Sequence, residues 1–302
     1  MCSRCRKPAA ALLAAGATAL PLGAQAPAPG APAREAPAWT AAGGRVLRVC
    51  ADPNNLPFSD AAGRGFENQL AELVARELHA RVRYTWWAQR RGYVRNTLKA
   101  RACDVLMGVP SAYGPVLTTR PYYRSSYVFV ARPGTPAARV RSFDDPAMRR
   151  LRVGVQVIGD NFANSPPAHA LGRRGIVRNV VGYNVYGDYR EVAPPRRVVD
   201  AVARREVDLA VAWGPMAAYW AGREGRPLAV RPVAPAVDAP RPDAQALPFV
   251  FDVSAGVRRG DPQARALRDS LDAIFVRRRA GVDRILARYR VPRVDRAAGG
   301  GA

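Results

Sequence analysis

The apolar positions of this chain switch between two periods. Residues 47–51 form a short apolar run that stops at the polar loop Asp52-Pro53-Asn54-Asn55. Phe66, Leu70, Leu73, Val74 and Leu78 then recur at helical spacing and define one face. Val82, Tyr84 and Trp86 alternate as a half-buried strand does. Val94 and Leu98 mark a second helix, and residues 104–109 a third strand. Strand, helix, strand, helix, strand predicts a parallel sheet with right-handed crossovers.

A second unit begins near residue 150. Residues 151–157 read as a strand and 176–181 as a candidate for another. Residues 196–205 are helical, with Val198, Val199 and Val202 on one side, and 207–213 form a strand that ends in Gly214-Pro215. Residues 226–248 hold prolines too often for a helix. A strand over 249–257 and helices over 262–279 and 281–289 close the pattern. The predicted class is α/β: two mainly parallel sheets flanked by helices, joined by a double crossover hinge. One lobe would hold residues 45–130 and 249–295, the other 131–248, with a Pro/Ala-rich lead-in over 27–44 and a tail over 296–302. Ligands of such folds sit outside the carboxyl ends of the parallel strands.

The first residues change the compartment. Arg4, Arg6 and Lys7 precede an Ala/Leu-rich run over 9–22, followed by Ala24-Gln25-Ala26. That order is an export signal peptide, expected over residues 1–26. The run is shorter than the roughly 20 apolar residues of a spanning helix. No cysteine sits just after it, so a lipid anchor is not expected. The predicted location is the periplasm.

Composition then narrows the function. The chain has 302 residues, 47 basic against 24 acidic, and a net charge of +23. Hydrophobic residues make up 48%, which excludes a disordered chain. Lysine occurs only at Lys7 and Lys99, so the charge is arginine. Two readings of it stand: composition bias in an Ala-, Pro- and Arg-rich chain, or a basic surface for an anionic partner. Loss of the leader would leave +20. Export and the absence of zinc-finger, helix-turn-helix or RNA-recognition patterns argue against nucleic acid.

Catalytic chemistry leaves no mark. His79 and His169 are the only imidazoles, and neither pairs with a cysteine at metal spacing. No nucleophile elbow, Walker A or dinucleotide-binding glycine pattern is present. A binding protein is expected, not an enzyme. Its candidate cleft residues cluster in the strand-end loops: Asp52, Asn54, Asn55 and Phe58 after strand one, and Trp86, Trp87, Arg90 and Arg91, with Gln89, after strand two. Tyr113 follows strand three, Arg120, Tyr122 and Tyr123 sit at the first crossover, and Asn161 and Trp213 belong to the second unit. Aromatic faces supply contact area, while amides and guanidinium groups supply direction. The alternative for Trp86, Tyr123 and Trp213 is packing of the lobes.

Several strings carry a family resemblance. They are Leu47-Arg-Val-Cys-Ala-Asp-Pro-Asn-Asn-Leu-Pro-Phe-Ser59, Gly65-Phe-Glu-Asn68, Thr85-Trp-Trp-Ala-Gln-Arg-Arg-Gly92 and Cys103-Asp-Val-Leu-Met-Gly-Val-Pro110. Leu117-Thr-Thr-Arg-Pro-Tyr-Tyr-Arg-Ser125, Arg174-Gly175, Trp213-Gly-Pro215, Val257-Arg-Arg-Gly-Asp261 and Tyr289-Arg-Val-Pro292 continue them. Over residues 45–295 the chain resembles the J proteins of methanol dehydrogenase operons, the MxaJ and XoxJ type. The resemblance implies a periplasmic-binding-protein fold of type II. It also implies an accessory role, in maturation or activation, beside a PQQ-dependent methanol or alcohol dehydrogenase of the calcium or lanthanide kind. The expected partners are that dehydrogenase and its c-type cytochrome; no cofactor is expected in this chain itself. The alternative is a substrate-binding protein of an ABC importer for a small anionic or aromatic solute, and a further rival is an enzyme on this fold.

Amino-acid-binding proteins similar in fold carry an arginine after strand three that grips the ligand carboxylate. Here residues 108–121 read GVPSAYGPVLTTRP, with no arginine before Arg120. An amino-acid ligand is therefore disfavoured, and Arg90, Arg91 and Arg120 stand as holders of some other anion. In the resembled fold strands one and three are parallel neighbours, with Cys50 late in one and Cys103 just before the other. A displacement of several residues at about 3.3 Å each exceeds disulfide reach, so buried free thiols are expected.

Overall fold

The computed structural model describes residues 40–41, 44–157, 164–184, 191–223, 225, 227–239 and 245–295. The expected signal peptide, most of the lead-in, the tail and Asn161 lie outside the described residues. The first half runs β1 (Gly44–Ala51), α1 (Phe66–Glu77), β2 (Ala80–Trp86), α2 (Tyr93–Asn96), β3 (Val105–Pro110) and β4 (Tyr123–Ala131). Then come β5 (Val153–Val157), α3 (Pro166–Arg173), β6 (Val180–Asn184), α4 (Arg197–Ala203), β7 (Leu209–Trp213) and α5 (Gly214–Ala221). The chain closes with β8 (Ala229–Pro232), β9 (Val250–Val257), α6 (Pro262–Arg277) and α7 (Arg279–Arg288).

The predicted apolar face of α1 is the buried one: Phe66, Leu70, Leu73 and Val74 join Leu47 and Val49 of β1 in one core. Leu267, Leu271 and Ile274 of α6, with Val282 and Leu286 of α7, complete it. Gly65 sets the start of α1. A Cβ there would stand 2.0 Å from the Phe58 carbonyl oxygen, so any side chain would force the 57–59 loop off the helix. That closeness lets the Phe66 and Glu67 amides donate to the Pro57 and Phe58 carbonyls at 2.8 and 2.9 Å. The Asn68 side-chain oxygen reaches back to accept from the Gly65 amide at 3.0 Å.

Each lobe has a parallel core, β2–β1–β3 in one and β6–β5–β7 in the other. The crossing strands add antiparallel pairing, because they enter each sheet against its direction. Residues 123–126 of β4 pair with β9, and residues 127–131 of the same strand pair with β7. On its other side residues 128–131 pair with β8. One strand thus belongs to both lobes. The second lobe packs Phe129, Phe143, Met148, Val153, Leu171 and Val211 into its own core.

The cysteine expectation is overturned. Cys50 and Cys103 form a disulfide with Cα atoms 5.5 Å apart. Cys50 is paired in register with Leu106, not with Cys103. The displacement argument fails because the residues before β3 do not continue the line of the strand. Residues 97–103 fold over the sheet face, where the Ala102 carbonyl accepts from the Thr85 hydroxyl at 2.8 Å. Thr85 pairs with Cys50 across β1 and β2, so Cys103 arrives above Cys50 and not beyond the strand end. Next to it, buried Asp104 accepts from Arg48 at 2.9 and 2.5 Å and from buried Arg258 at 3.4 Å. Arg258 also donates to the Cys103 carbonyl at 2.5 Å, so the charge of Asp104 is matched and its neighbour is held.

The bridge spans a separation of 53 residues, for which chain entropy gives about 4 kcal/mol. Reduction, or Cys50→Ser with Cys103→Ser, should cost about 2–4 kcal/mol of unfolding free energy. Urea melts with and without dithiothreitol measure this; coincident midpoints would show that the bridge is not present in solution.

Candidate functional site

A cleft of about 510 Å³ opens between the lobes at the carboxyl ends of β1, β2 and β3. Its first wall is built by the loops after β1 and β2. The Asp52 carboxylate accepts the Asn54 amide at 2.8 Å with one oxygen and the Gln89 amide at 2.7 Å with the other, tying the two loops together. The Asn55 side-chain amide donates to the Gln89 side-chain oxygen at 3.0 Å. Asn54 reaches across the cleft: its side chain donates to the Glu191 carbonyl at 2.6 Å and accepts the Ala193 amide at 2.8 Å. Trp220 of α5 adds a second crossing bond, from its indole nitrogen to the Leu56 carbonyl at 3.1 Å.

Glu67 stands in the cleft floor, in the first turn of α1 and directly over Gly108 of β3. A Cβ at Gly108 would lie 2.0 Å from Glu67 Oε1, so the absence of a side chain there makes room for the carboxyl. Burial first, and the nearby Asp52 charge second, push its pKa up to about 8. The Glu67 carboxyl has no hydrogen-bond or ion-pair partner among the described residues.

The opposite wall is almost uncharged: Pro166, Pro194, Pro195, Trp213, Met216 and buried Gln156. Gln156 accepts the Trp213 amide at 3.2 Å and so fixes the end of β7. Tyr127, Trp213 and Phe251 pack edge to face, with centroids 5.4, 6.0 and 6.2 Å apart. Burial raises the Tyr127 hydroxyl pKa, so it stays protonated and available as a donor.

Of the expected residues, Asp52, Asn54, Asn55, Phe58, Arg90, Tyr123 and Trp213 line this cleft together. Trp86, Trp87, Arg91, Tyr113, Arg120 and Tyr122 are not among its lining residues. Trp86 stacks on Tyr84 at 4.4 Å, and Trp87 and Tyr113 are exposed. Arg120 pairs with Asp272 of α6. Tyr122 is turned into the core, where its hydroxyl donates to the Met107 carbonyl at 2.5 Å and its ring stacks on Phe275. Asn161 lies outside the described residues. Of the three arginines expected to hold an anion, one reaches the cleft. Glu67, Gln156, Tyr127 and Phe251 were not foreseen. Glu67 sits in a helix whose pattern exposes only its apolar face, and Gln156 sits within an apolar strand. For Glu67 the Gly65-Phe-Glu-Asn68 string was the available signal.

This fold and cleft define the class of two-lobed periplasmic-binding proteins. The chain belongs to the family of the MoxJ proteins. Protein MoxJ of Methylorubrum extorquens is 31% identical over 252 residues, covering 82% of this chain and 81% of its own length. Protein MoxJ of Paracoccus denitrificans is 30% identical, covering 82% of this chain and 88% of its own length. The crystal structure of the periplasmic binding protein XoxJ from Methylobacterium extorquens AM1 matches with a TM-score of 0.66 and 33% identity, over 83% of this chain and 100% of that one. No family model matches the chain. An ancestral amino-acid-binding protein, a precursor of cyclohexadienyl dehydratase, is 18% identical with a TM-score of 0.56, which shows the shared fold alone. The family supports an accessory, solute-binding-like role in methanol oxidation. Among the described residues no helix is long and apolar enough to cross a membrane.

Asn54→Ala should remove both hydrogen bonds to the 191–193 segment. Amide exchange at Ala193 should then rise at least about tenfold, while that of core strand β3 stays unchanged. Unchanged exchange at Ala193 would mean the cross-cleft bonds do not restrain the lobes.

Proposed function

We propose that this protein is exported to the periplasm and serves a PQQ-dependent methanol or alcohol dehydrogenase in its maturation or activation. It acts by contact with the dehydrogenase, and its cleft takes a small ligand; it carries out no reaction of its own. The observation that carries this reading is the kinship with MoxJ proteins along 82% of the chain. The cleft supports the ligand part, with Asp52, Asn54, Asn55, Phe58, Arg90, Tyr123 and Trp213 as its site. The importer alternative for an anionic solute is weakened, because Arg90 is the one guanidinium among the described lining residues, beside two carboxylates.

The net charge of +23 on the full chain, or +20 without the leader, makes an acidic protein face the fitting partner surface. A deletion strain grown on methanol should lose dehydrogenase activity and regain it with the gene restored; full activity in the deletion strain rejects the reading. The purified protein should associate with the dehydrogenase or its cytochrome, and association should weaken about tenfold or more between 20 and 150 mM salt. An affinity independent of salt would return the arginines to composition bias.

A further inference from the structure

The charge of the cleft runs against the charge of the chain. Basic residues outnumber acidic ones 47 to 24 overall. Among the described cleft-lining residues the ratio reverses, with Asp52 and Glu67 against Arg90 alone. Arg90 is exposed at the rim, whereas Glu67 is set into the floor over Gly108. A carboxyl placed there without a partner is costly unless a ligand supplies the missing charge or donor.

The far wall points the same way. An anion would look for backbone N–H groups at a helix N-terminus. At Pro166 the chain enters α3 with two successive prolines, which have no N–H to give. Pro194 and Pro195 repeat the pattern and Met216 adds only apolar surface, which leaves the neutral Trp213 indole and Gln156 amide as the side-chain donors of this wall. Tyr127, Trp213 and Phe251 supply aromatic surface of the kind that attracts a cation.

We propose that the cleft binds a small organic ammonium, its charged head at Glu67 and Asp52 and its apolar body against Tyr127, Trp213 and Phe251. This rests on the cleft being a ligand site, as proposed above, and names the class of ligand. The groups facing Glu67 are Asp52 on the β1 loop, Tyr84 on β2, Tyr122 just before β4 and Tyr123 at its start, with Arg90 at the rim. Burial raises the three tyrosines, so they stay neutral between pH 6 and 8. Over that range Glu67 passes from almost wholly protonated to half ionised, given its value of about 8. A bound cation favours the ionised form, so binding should release a proton and strengthen as pH rises.

The test is calorimetric titration of the purified full protein with benzyltrimethylammonium, whose charge does not change with pH. Benzoate and benzyl alcohol serve as the anionic and neutral counterparts. Benzyltrimethylammonium should bind at least about tenfold more tightly than either at pH 8. Its affinity should rise up to about fiftyfold from pH 6 to pH 8, with release of about one proton per cation at pH 7. Glu67→Gln should abolish the rise and the proton release. No ammonium binding, equal binding of benzoate, or a flat pH profile in the wild type would overturn the proposal. The wild-type measurements decide it even where the variant fails to fold. Association with the dehydrogenase is measured on the same wild-type samples. Failure of the ammonium with that association intact overturns the ligand class alone, whereas loss of association overturns the functional reading beneath it.

Discussion

Strand β4 is the constraint on which the rest depends. Residues 123–126 pair with β9 in one lobe, and residues 127–131 pair with β7 in the other. Over 128–131 the strand is also hydrogen-bonded to β8, so its second half is held on both sides. A relative rotation of the lobes must therefore bend β4 near its middle. The cleft inherits this geometry. Tyr123 and Tyr127 lie four residues apart on β4, on one face, and both line the cavity. The floor of the site is thus continuous between the lobes, and motion opens its walls without dividing its base. The crossing bonds from Asn54 and Trp220 restrain those walls further, as does the stacking of Tyr219 on Tyr289 at 5.7 Å.

The elements most legible in the sequence were those whose burial is one-sided. Helix α1, strand β2 and the closing helices emerge from periodicity, because one face meets the core and the other meets water, whereas β1 and β3 are buried on both faces and stand out only as apolar runs. β4 carries Arg124, Ser125 and Ser126 in its first half, which hides its alternation, although Ser125 and Ser126 are buried. The Ser125 hydroxyl donates to the Pro292 carbonyl at 2.6 Å. α5 was hidden behind Gly214-Pro215, which read as the end of a strand. Proline is well placed in the first turn of a helix, so the same dipeptide closes β7 and opens α5. α5 is buried along its whole length and shows no polar face that periodicity could detect.

The site was legible to the extent that function lies in strand-end loops. Asp52, Asn54, Asn55 and Arg90 follow from that rule alone. Tyr122 and Tyr123 show its limit. They are adjacent in sequence and on opposite faces of an extended strand, so one lines the cleft and the other fills the core. Periodicity identifies such a pair but not which member faces the ligand. The cysteines show a different limit. Their distance depended on how residues 97–103 fold over the sheet, which has no signature in spacing.

The family strings gain a physical meaning from where they meet. Gly65-Phe-Glu-Asn68 and Cys103-Asp-Val-Leu-Met-Gly-Val-Pro110 are far apart in sequence, and they touch at Glu67 and Gly108. Each string has a scaffold end and a site end. Gly65, Phe66 and Asn68 seat the helix; Cys103 and Asp104 bind β3 to β1 through the disulfide and Arg48. Both arrangements converge on one position, where a carboxyl occupies the space that any other residue at 108 would fill. A side chain at 108 would leave the core of the lobe intact and displace only the end of Glu67, because the clash is with a flexible carboxyl and not with backbone. Stability therefore does not explain why a glycine stands there. The placement of Glu67 in the cleft does.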